Sequence, residues 1–309
     1  MRDYTLRASL DTVGNQFVMM RVSYDHTNRI GSGFSEASIE DGGAQPGLRF
    51  YDEADRNRDR GTLLFVLTPV TMVDFTFSVA TAKDVYNGPG HDFGLLNNTN
   101  TSYNAGVNLS PSKQVGFGAN YGYEKFNSLQ NSRNANPPSG VPGAYESWTD
   151  PNRTWFLDND EKVNNFDLYL DLNKAIQNTN IRFTYDYSDS DNAFLHSGPR
   201  IQELSTNTAL TPGDTKPCAA GLTSCFIPLT NVTNKWQRLG VDLKYFFTTK
   251  VGLGFGYWYE KFDVSDFATM DLPGQPGTPR IDNLGEISTG YGLRPYTGNS
   301  AFVRLLYQF

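Results

Sequence analysis

Ala301 to Phe309 read AFVRLLYQF, and this stretch decides the fold. Ala301, Val303, Leu305, Tyr307 and Phe309 fall on one phase of a period-2 pattern, with Arg304 and Gln308 on the other. Two-residue periodicity puts alternate side chains on opposite faces of a β-strand. A strand with so much apolar surface on one face would be an aggregation hazard at the edge of a soluble sheet. In a bilayer the same surface is solvated by lipid.

Ten further segments carry the pattern. The apolar phases are Tyr4–Leu10, Val18–Tyr24, Val73–Val79, Tyr103–Leu109, Val115–Tyr123, Phe166–Leu172, Ile181–Tyr187, Leu239–Phe247 and Val251–Tyr259. The remaining segment, 62–68, is apolar on both phases, so its facing is ambiguous. In the clear segments charge keeps to one phase, as with Asp167 and Asp171, Arg182 and Asp186, or Asp242 and Lys244. Lipid imposes that restriction, because a charge on the outer face of a barrel costs about 2–4 kcal/mol at mid-membrane. Aromatics gather at the ends of the apolar phase, as in interfacial girdles. A soluble sandwich or propeller also alternates, but buries its apolar face against another sheet. The pattern therefore predicts an all-β, antiparallel transmembrane β-barrel of the outer-membrane type, with about 11–12 strands in this chain.

Composition agrees with strands rather than helices as the spanning elements. Hydrophobic residues are 38% and aromatics 14% of the 309, with 17 Tyr and 21 Phe. Mean hydropathy is −0.48. The longest apolar run, Leu63–Leu67, falls far short of the roughly 18 residues of a transmembrane helix. A net charge of −7 without a basic block argues against nucleic-acid binding. Cys218 and Cys225 lie close together in a polar segment and read as a small surface disulfide of an oxidising compartment, or as two free thiols. They lack the companion ligands of a zinc site. An exported protein needs a signal peptide, yet the first strand pattern begins almost at Met1; the expectation is that the signal was removed from this sequence or that the true N-terminus lies elsewhere.

Connections alternate between short and long. Short turns fall near 12–15, 69–71, 110–113, 174–180 and 248–250; long polar ones near 25–60, 84–101, 127–162, 188–235 and 264–298. That is the asymmetry of short periplasmic turns and long extracellular loops. The ending Val303, Leu305, Tyr307, Phe309 resembles the signal by which the barrel-assembly machinery recognises bacterial outer-membrane proteins. With the last strand running down to the periplasm, counting back through eleven starts the first strand at the outer face. A closed bacterial barrel has an even strand count. The expectation is a single barrel domain over 1–309 that forms the C-terminal part of a larger barrel, with a missed strand as the competing account.

A weak internal repeat joins Val115-Gly116-Phe117-Gly118 and Tyr123-Glu124-Lys125-Phe126 to Val251-Gly252-Leu253-Gly254 and Tyr259-Glu260-Lys261-Phe262. It reads as a duplicated hairpin. Little points to chemistry. Asp55, Asn57, Asp59 and Gly61 loosely echo a calcium loop, weakened by the interleaved Arg56, Arg58 and Arg60; a salt-bridged loop base is the alternative. Asp158, Asp160 and Glu161 read as a solvated loop. His196-Ser197 are adjacent, but nothing marks that serine as a nucleophile, and no phosphate-binding glycine loop occurs. No enzyme is expected.

Three stretches resemble the MtrB/PioB family: Tyr51–Leu63 (YDEADRNRDRGTL), Asn234–Phe247 (NKWQRLGVDLKYFF) with the GFGYWYEKF hairpin that follows, and Gly292–Phe309 (GLRPYTGNSAFVRLLYQF). They cover about a third of the chain, in the order of the C-terminal half of such a barrel. The resemblance implies an outer-membrane sleeve around a multihaem c-type cytochrome, which passes electrons from haem to haem; the alternative is a porin or receptor-type transport barrel for small solutes. The chain has no C-x-x-C-H and only His26, His91 and His196, so any haem belongs to the partner. Gly116, Gly118, Gly122, Gly252, Gly254 and Gly256 share the inward phase, where they would clear the wall for another backbone or relieve strain in a curved sheet. Asp167, Asp171, Arg182, Asp186, Asp242 and Arg304 on that phase would bond to an inserted protein or line water.

Overall fold

In the computed structural model, the described residues are 1–12, 16–31, 47–88, 90–133, 154–198, 230–266, 271–272, 275–279 and 295–307. The long strands are β1 (Arg2–Asp11), β2 (Val18–Ile30), β4 (Asp55–Val70), β5 (Val73–Asn87), β6 (Phe93–Ser112) and β7 (Val115–Arg133), followed by β8 (Thr154–Ile176), β9 (Thr179–Ser197), β10 (Val232–Phe246), β11 (Val251–Ser265) and β14 (Tyr296–Tyr307). These eleven form one sheet in the order β1-β2-β4-β5-β6-β7-β8-β9-β10-β11-β14, each antiparallel to its neighbours. Short β3 (Leu48–Arg49) pairs with β6 in parallel, and β12 (Asp271–Leu272) pairs only with β13 (Gln275–Pro279). Among the described residues the sheet does not close: β1 pairs with β2 alone and β14 with β11 alone.

Register carries the apolar phase unbroken from strand to strand. Leu10 faces Val22, Val22 faces Leu63, Leu63 faces Val79 and Val79 faces Tyr103. Farther along, Ala119 faces Leu168, Leu168 faces Tyr185, Tyr185 faces Leu239 and Leu239 faces Tyr259. A one-residue slip would move a whole strand's apolar set to the other face, so register and pattern lock each other. The ambiguous segment is settled by its neighbours: Leu63, Phe65 and Leu67 join the apolar face, while Leu64 and Val66 join the polar one. Among the described residues the apolar face has no second layer against it, and Val303 and Leu305 remain 72% and 75% exposed. A sandwich would have buried them.

The short turns are built by side chains that bond to their own backbone. Ser112 Oγ accepts hydrogen bonds from the amides of Gln114 and Val115, each at 3.2 Å. Thr248 Oγ1 does the same for Lys250 at 3.2 Å and Val251 at 3.0 Å. The two turns open the two halves of the internal repeat with one device. At the β8–β9 turn Asn178 takes φ 57°, a conformation asparagine tolerates better than most residues.

The strands run farther than the alternation predicts. The segment 84–101 is not a long loop: β5 continues to Asn87 and β6 begins at Phe93, leaving only 88–92 between them. The strands beside the other expected loops likewise run on, β2 to Ile30, β4 from Asp55, β7 to Arg133, β8 from Thr154, β9 to Ser197 and β10 from Val232. β8 reaches 23 residues, whereas about 9–11 tilted residues cross a bilayer. At the long-loop end, residues 47–54 fold against 88–94, with Asp92 and Phe93 each donating a backbone hydrogen bond to Gly47 O at 2.9 Å. Ala54, Tyr86, Phe93, Arg49 and Asp84 are buried at this corner.

Candidate functional site

The polar face of the sheet is the candidate site, and alternation places its side chains. On β7 the face carries Gly116, Gly118, Asn120, Gly122 and Glu124; on β8, Asp171, Tyr169, Asp167 and Asn165 lie opposite Gly116, Gly118, Asn120 and Gly122. On β10 and β11, Lys244 lies opposite Gly254, Asp242 opposite Gly256 and Arg238 opposite Glu260. The glycines and charges singled out in the sequence therefore share one wall.

The glycines do not leave that wall bare. A Cβ on Gly118 would collide with the Tyr169 ring, one on Gly256 with the Phe302 ring, and one on Gly254 with the Arg304 side chain. The Tyr169 hydroxyl, lying across Gly118, donates to Asn108 Oδ1 of β6 at 2.9 Å. Large side chains from adjoining strands thus fill the missing volume, the aromatic cover that stabilises glycine in curved sheets. Of the two readings of these glycines, cleared wall or relieved strain in a curved sheet, the packing around Gly118, Gly254 and Gly256 favours the second. Gly252 is crowded by Phe246 and the backbone of Tyr245, and Gly122 by Asn104; only at Gly116 would a Cβ meet nothing closer than Asp171 Cβ at 3.7 Å.

The charges form cross-strand groups. Near the short turns, Arg182 Nε lies 3.5 Å from Asp171 Oδ1, and its guanidinium stacks over Tyr169 at 4.8 Å. Arg304 is paired with Asp242, and Lys244 Nζ stands 3.8 Å from the same carboxylate. Asp171, Arg182, Asp242, Lys244 and Arg304, with Asn173, Asn180 and Ile181, line a hollow of about 380 Å³. Higher on the wall two carboxylates, Asp167 and Asp186, stand directly opposite each other, with Arg238 across from Asp186 on the far side. Arg238 also stacks over Trp258 at 4.2 Å. Such a surface offers hydrogen bonds and charges of both signs. Among the described residues no group of three or more His, Cys, Asp or Glu side chains is arranged to hold a metal ion.

The segment that loosely echoes a calcium loop is a strand. Asp55, Asn57 and Asp59 are consecutive same-phase residues of β4, strung along a strand instead of curled round a centre. Each has a protein partner. Asp55 Oδ1 accepts the Gly31 amide at 2.6 Å, Asn57 Oδ1 accepts from Asn28 at 2.6 Å, and Asp59 Oδ1 accepts from the Tyr24 hydroxyl at 2.5 Å and lies 2.8 Å from His26 Nδ1. Asp158 and Asp160 likewise belong to β8: Asn127 donates to Asp158 at 2.7 Å and Lys125 Nζ lies 3.0 Å from Asp160. Val303, Leu305 and Tyr307 occupy the apolar face of β14 opposite Phe255, Leu253 and Val251. Cys218, Cys225 and Phe309 lie outside the described residues.

An open antiparallel sheet with one continuous apolar face and one charged face defines a partial outer-membrane β-barrel. Comparison with solved structures gives the same fold. The chain superposes on the copper transporter OprC with a TM-score of 0.59 at 13% identity, over 99% of this chain and 40% of that one. It superposes on the ferric citrate transporter FecA at 0.60 and 10%, over 99% and 39%. On BauA, the ferric preacinetobactin receptor from Acinetobacter baumannii, the values are 0.56 and 11%, over 99% and 44%. The chain thus spans about two fifths of the length of these structures. No curated protein matches it in sequence. A family model described as "Putative outer membrane beta-barrel porin, MtrB/PioB" matches residues 1–309. The chain belongs to the MtrB/PioB family, whose place is the bacterial outer membrane.

Proposed function

We propose that this chain is part of a barrel that sheathes a multihaem c-type cytochrome and lets it conduct electrons across the outer membrane. The observation that carries the reading is membership of the MtrB/PioB family along the whole chain, joined to a wall dense in fixed charges. The chain brings no C-x-x-C-H of its own, so haem would arrive on the partner. The apolar face would meet lipid. The polar face, with Asp171, Arg182, Asp242 and Arg304, would hold the partner and keep it in register. The short turns would lie in the periplasm and the long connections outside, and the β14 ending would be read by the assembly machinery.

The test is purification of the barrel from outer membranes in mild detergent, followed by a visible spectrum. Haem absorbance that co-elutes with the barrel supports the sheath. A haem-free barrel that conducts ions in a planar bilayer supports instead a diffusion pore, the reading favoured by the family's description as a porin.

A further inference from the structure

On the inner wall of β1 to β5, near the long-loop end, arginines outnumber their partners. Arg56, Arg58 and Arg60 follow one another on the polar phase of β4, and Arg29 on β2 stands directly opposite Arg56. Like charges placed opposite each other across two strands are destabilising. Arg7 on β1 joins the same wall. The acids here are Asp3, Asp25 and Asp84, and each is already engaged. Arg7 Nε lies 2.5 Å from Asp25, Arg29 Nε lies 3.4 Å from Asp3, and Arg58 Nε lies 2.9 Å from Asp84, which is only 2% exposed. Neither Arg56 nor Arg60 has an ion pair among the described residues, and Arg56 Nε is buried without a hydrogen-bond acceptor. A desolvated guanidinium nitrogen with no acceptor is expensive. In register only Asp25, already bonded to Arg7, stands opposite Arg60, so among the described residues these guanidiniums are short of an acid.

We infer that Arg56 and Arg60, with Arg29 beside them, form a docking patch for the carboxylate-rich surface of the protein held inside the barrel. The inference rests on the sheath reading above and adds to it the polarity of the partner's surface. Three features favour a protein surface over small dissolved anions. The arginines climb the wall at every second residue of one strand, a spacing of about 6.6 Å, so they present a row of donors. Guanidinium forks match carboxylates bidentately. The wall farther round carries the reverse imbalance, with Asp167 opposite Asp186. An occupant with one acidic flank toward β4 would fit only one way round, and charge pairing of this kind fixes register.

The experiment uses the barrel purified from outer membranes with its native partner. Haem retained per barrel is measured after washes of rising ionic strength. In Arg56→Glu/Arg60→Glu, retention at moderate salt is expected to fall about tenfold, while Arg56→Lys/Arg60→Lys stays close to wild type in low salt and fails earlier as salt rises. Lys125→Glu, on the opposite face, is expected to leave retention unchanged. Gel heat-modifiability establishes that each variant has folded, and Arg60→Gln alone serves if the double variant does not. Equal retention and salt profile in wild type and the Glu variant overturns the patch while leaving the sheath intact. A wild-type barrel without any haem overturns the sheath and the patch together. An empty barrel whose anion preference is abolished by the same substitutions also overturns the proposal, because the arginines would then serve free anions.

Discussion

The same strands behave differently below and above a row of aromatics. Toward the short turns, the outer phase of β8 reads Leu172, Leu170, Leu168, Phe166; above, it continues Asn164, Lys162, Asp160, Asp158. β5 changes in the same way, from Val73, Phe75, Phe77, Val79 to Thr81, Lys83, Val85, Asn87. Hydrogen-bond register does not change across the boundary: β7 and β8 stay paired from Val115↔Leu172 to Arg133↔Thr154 without a shift. Alternation is therefore a record of lipid on one side, and pairing is what makes the strand. Above the aromatics, cross-strand polar contacts such as Lys125–Asp160 and Asn127–Asp158 take over from apolar ones.

The sharpest way to break the contrast is to move a charge below the boundary. Leu168→Arg, on the outer phase between Ala119 and Tyr185, is expected to lose about 2–4 kcal/mol in denaturant titrations of refolding into lipid vesicles. Next comes the inner face of the same region. Gly118→Val would drive a side chain into the Tyr169 ring and is expected to cost about 1–3 kcal/mol. Adding Tyr169→Ala should restore part of that loss, and the non-additivity of a double-mutant cycle measures it.

Above the boundary the expected effects shrink. His91, in the connection between β5 and β6, is held below its ordinary pKa of 6.5, first by burial and secondarily by nearby Arg49, and its Nε2 is buried without a partner. A depressed histidine stabilises its surroundings only while both folded and unfolded forms are neutral. Hydrogen-exchange protection at Asp92 and Phe93 should therefore be full above pH 6.5 and decline as pH falls below it, and His91→Gln should flatten the profile. Smallest of all, Thr233→Arg sits on the outer phase of β10 opposite Asp191 and is expected to change stability by less than about 0.5 kcal/mol.

The lower halves of the strands were legible because lipid writes a two-residue code into them. The upper halves were not. Asn97 to Thr101 on β6 and Asp158 to Lys162 on β8 carry polar residues on both phases, so no period survives, and only the neighbouring strand specifies extension. One signal was available: Asn87-Gly88-Pro89-Gly90 is turn chemistry in the middle of the expected loop 84–101, and Gly88 and Gly90 do take positive φ. The phase of Leu63–Leu67 was out of reach, because Leu64 and Val66 occupy the inner face and only pairing with Val22 and Val79 orients the strand. The arginine row was hidden by the same error. Read as a loop, Arg56, Arg58 and Arg60 merely dilute the acids; read as a strand, they fall on one face. The covers over Gly118 and Gly256 come from Tyr169 and Phe302, residues 51 and 46 positions away in sequence, a distance no local pattern bridges.

The height of the wall has a consequence for access. From Phe166, where the unbroken apolar run of its outer phase ends, to Thr154, β8 continues for a further dozen residues, which at the usual rise and tilt of barrel strands is a height of roughly 30 Å. In a barrel built from this sheet, the wall on that side would be a parapet, rising above the apolar band by about the bilayer's own thickness. Under the proposed function, whatever exchanges with the interior would be met at that elevated lip, above the zone where surface sugars and lipid headgroups would compete for it.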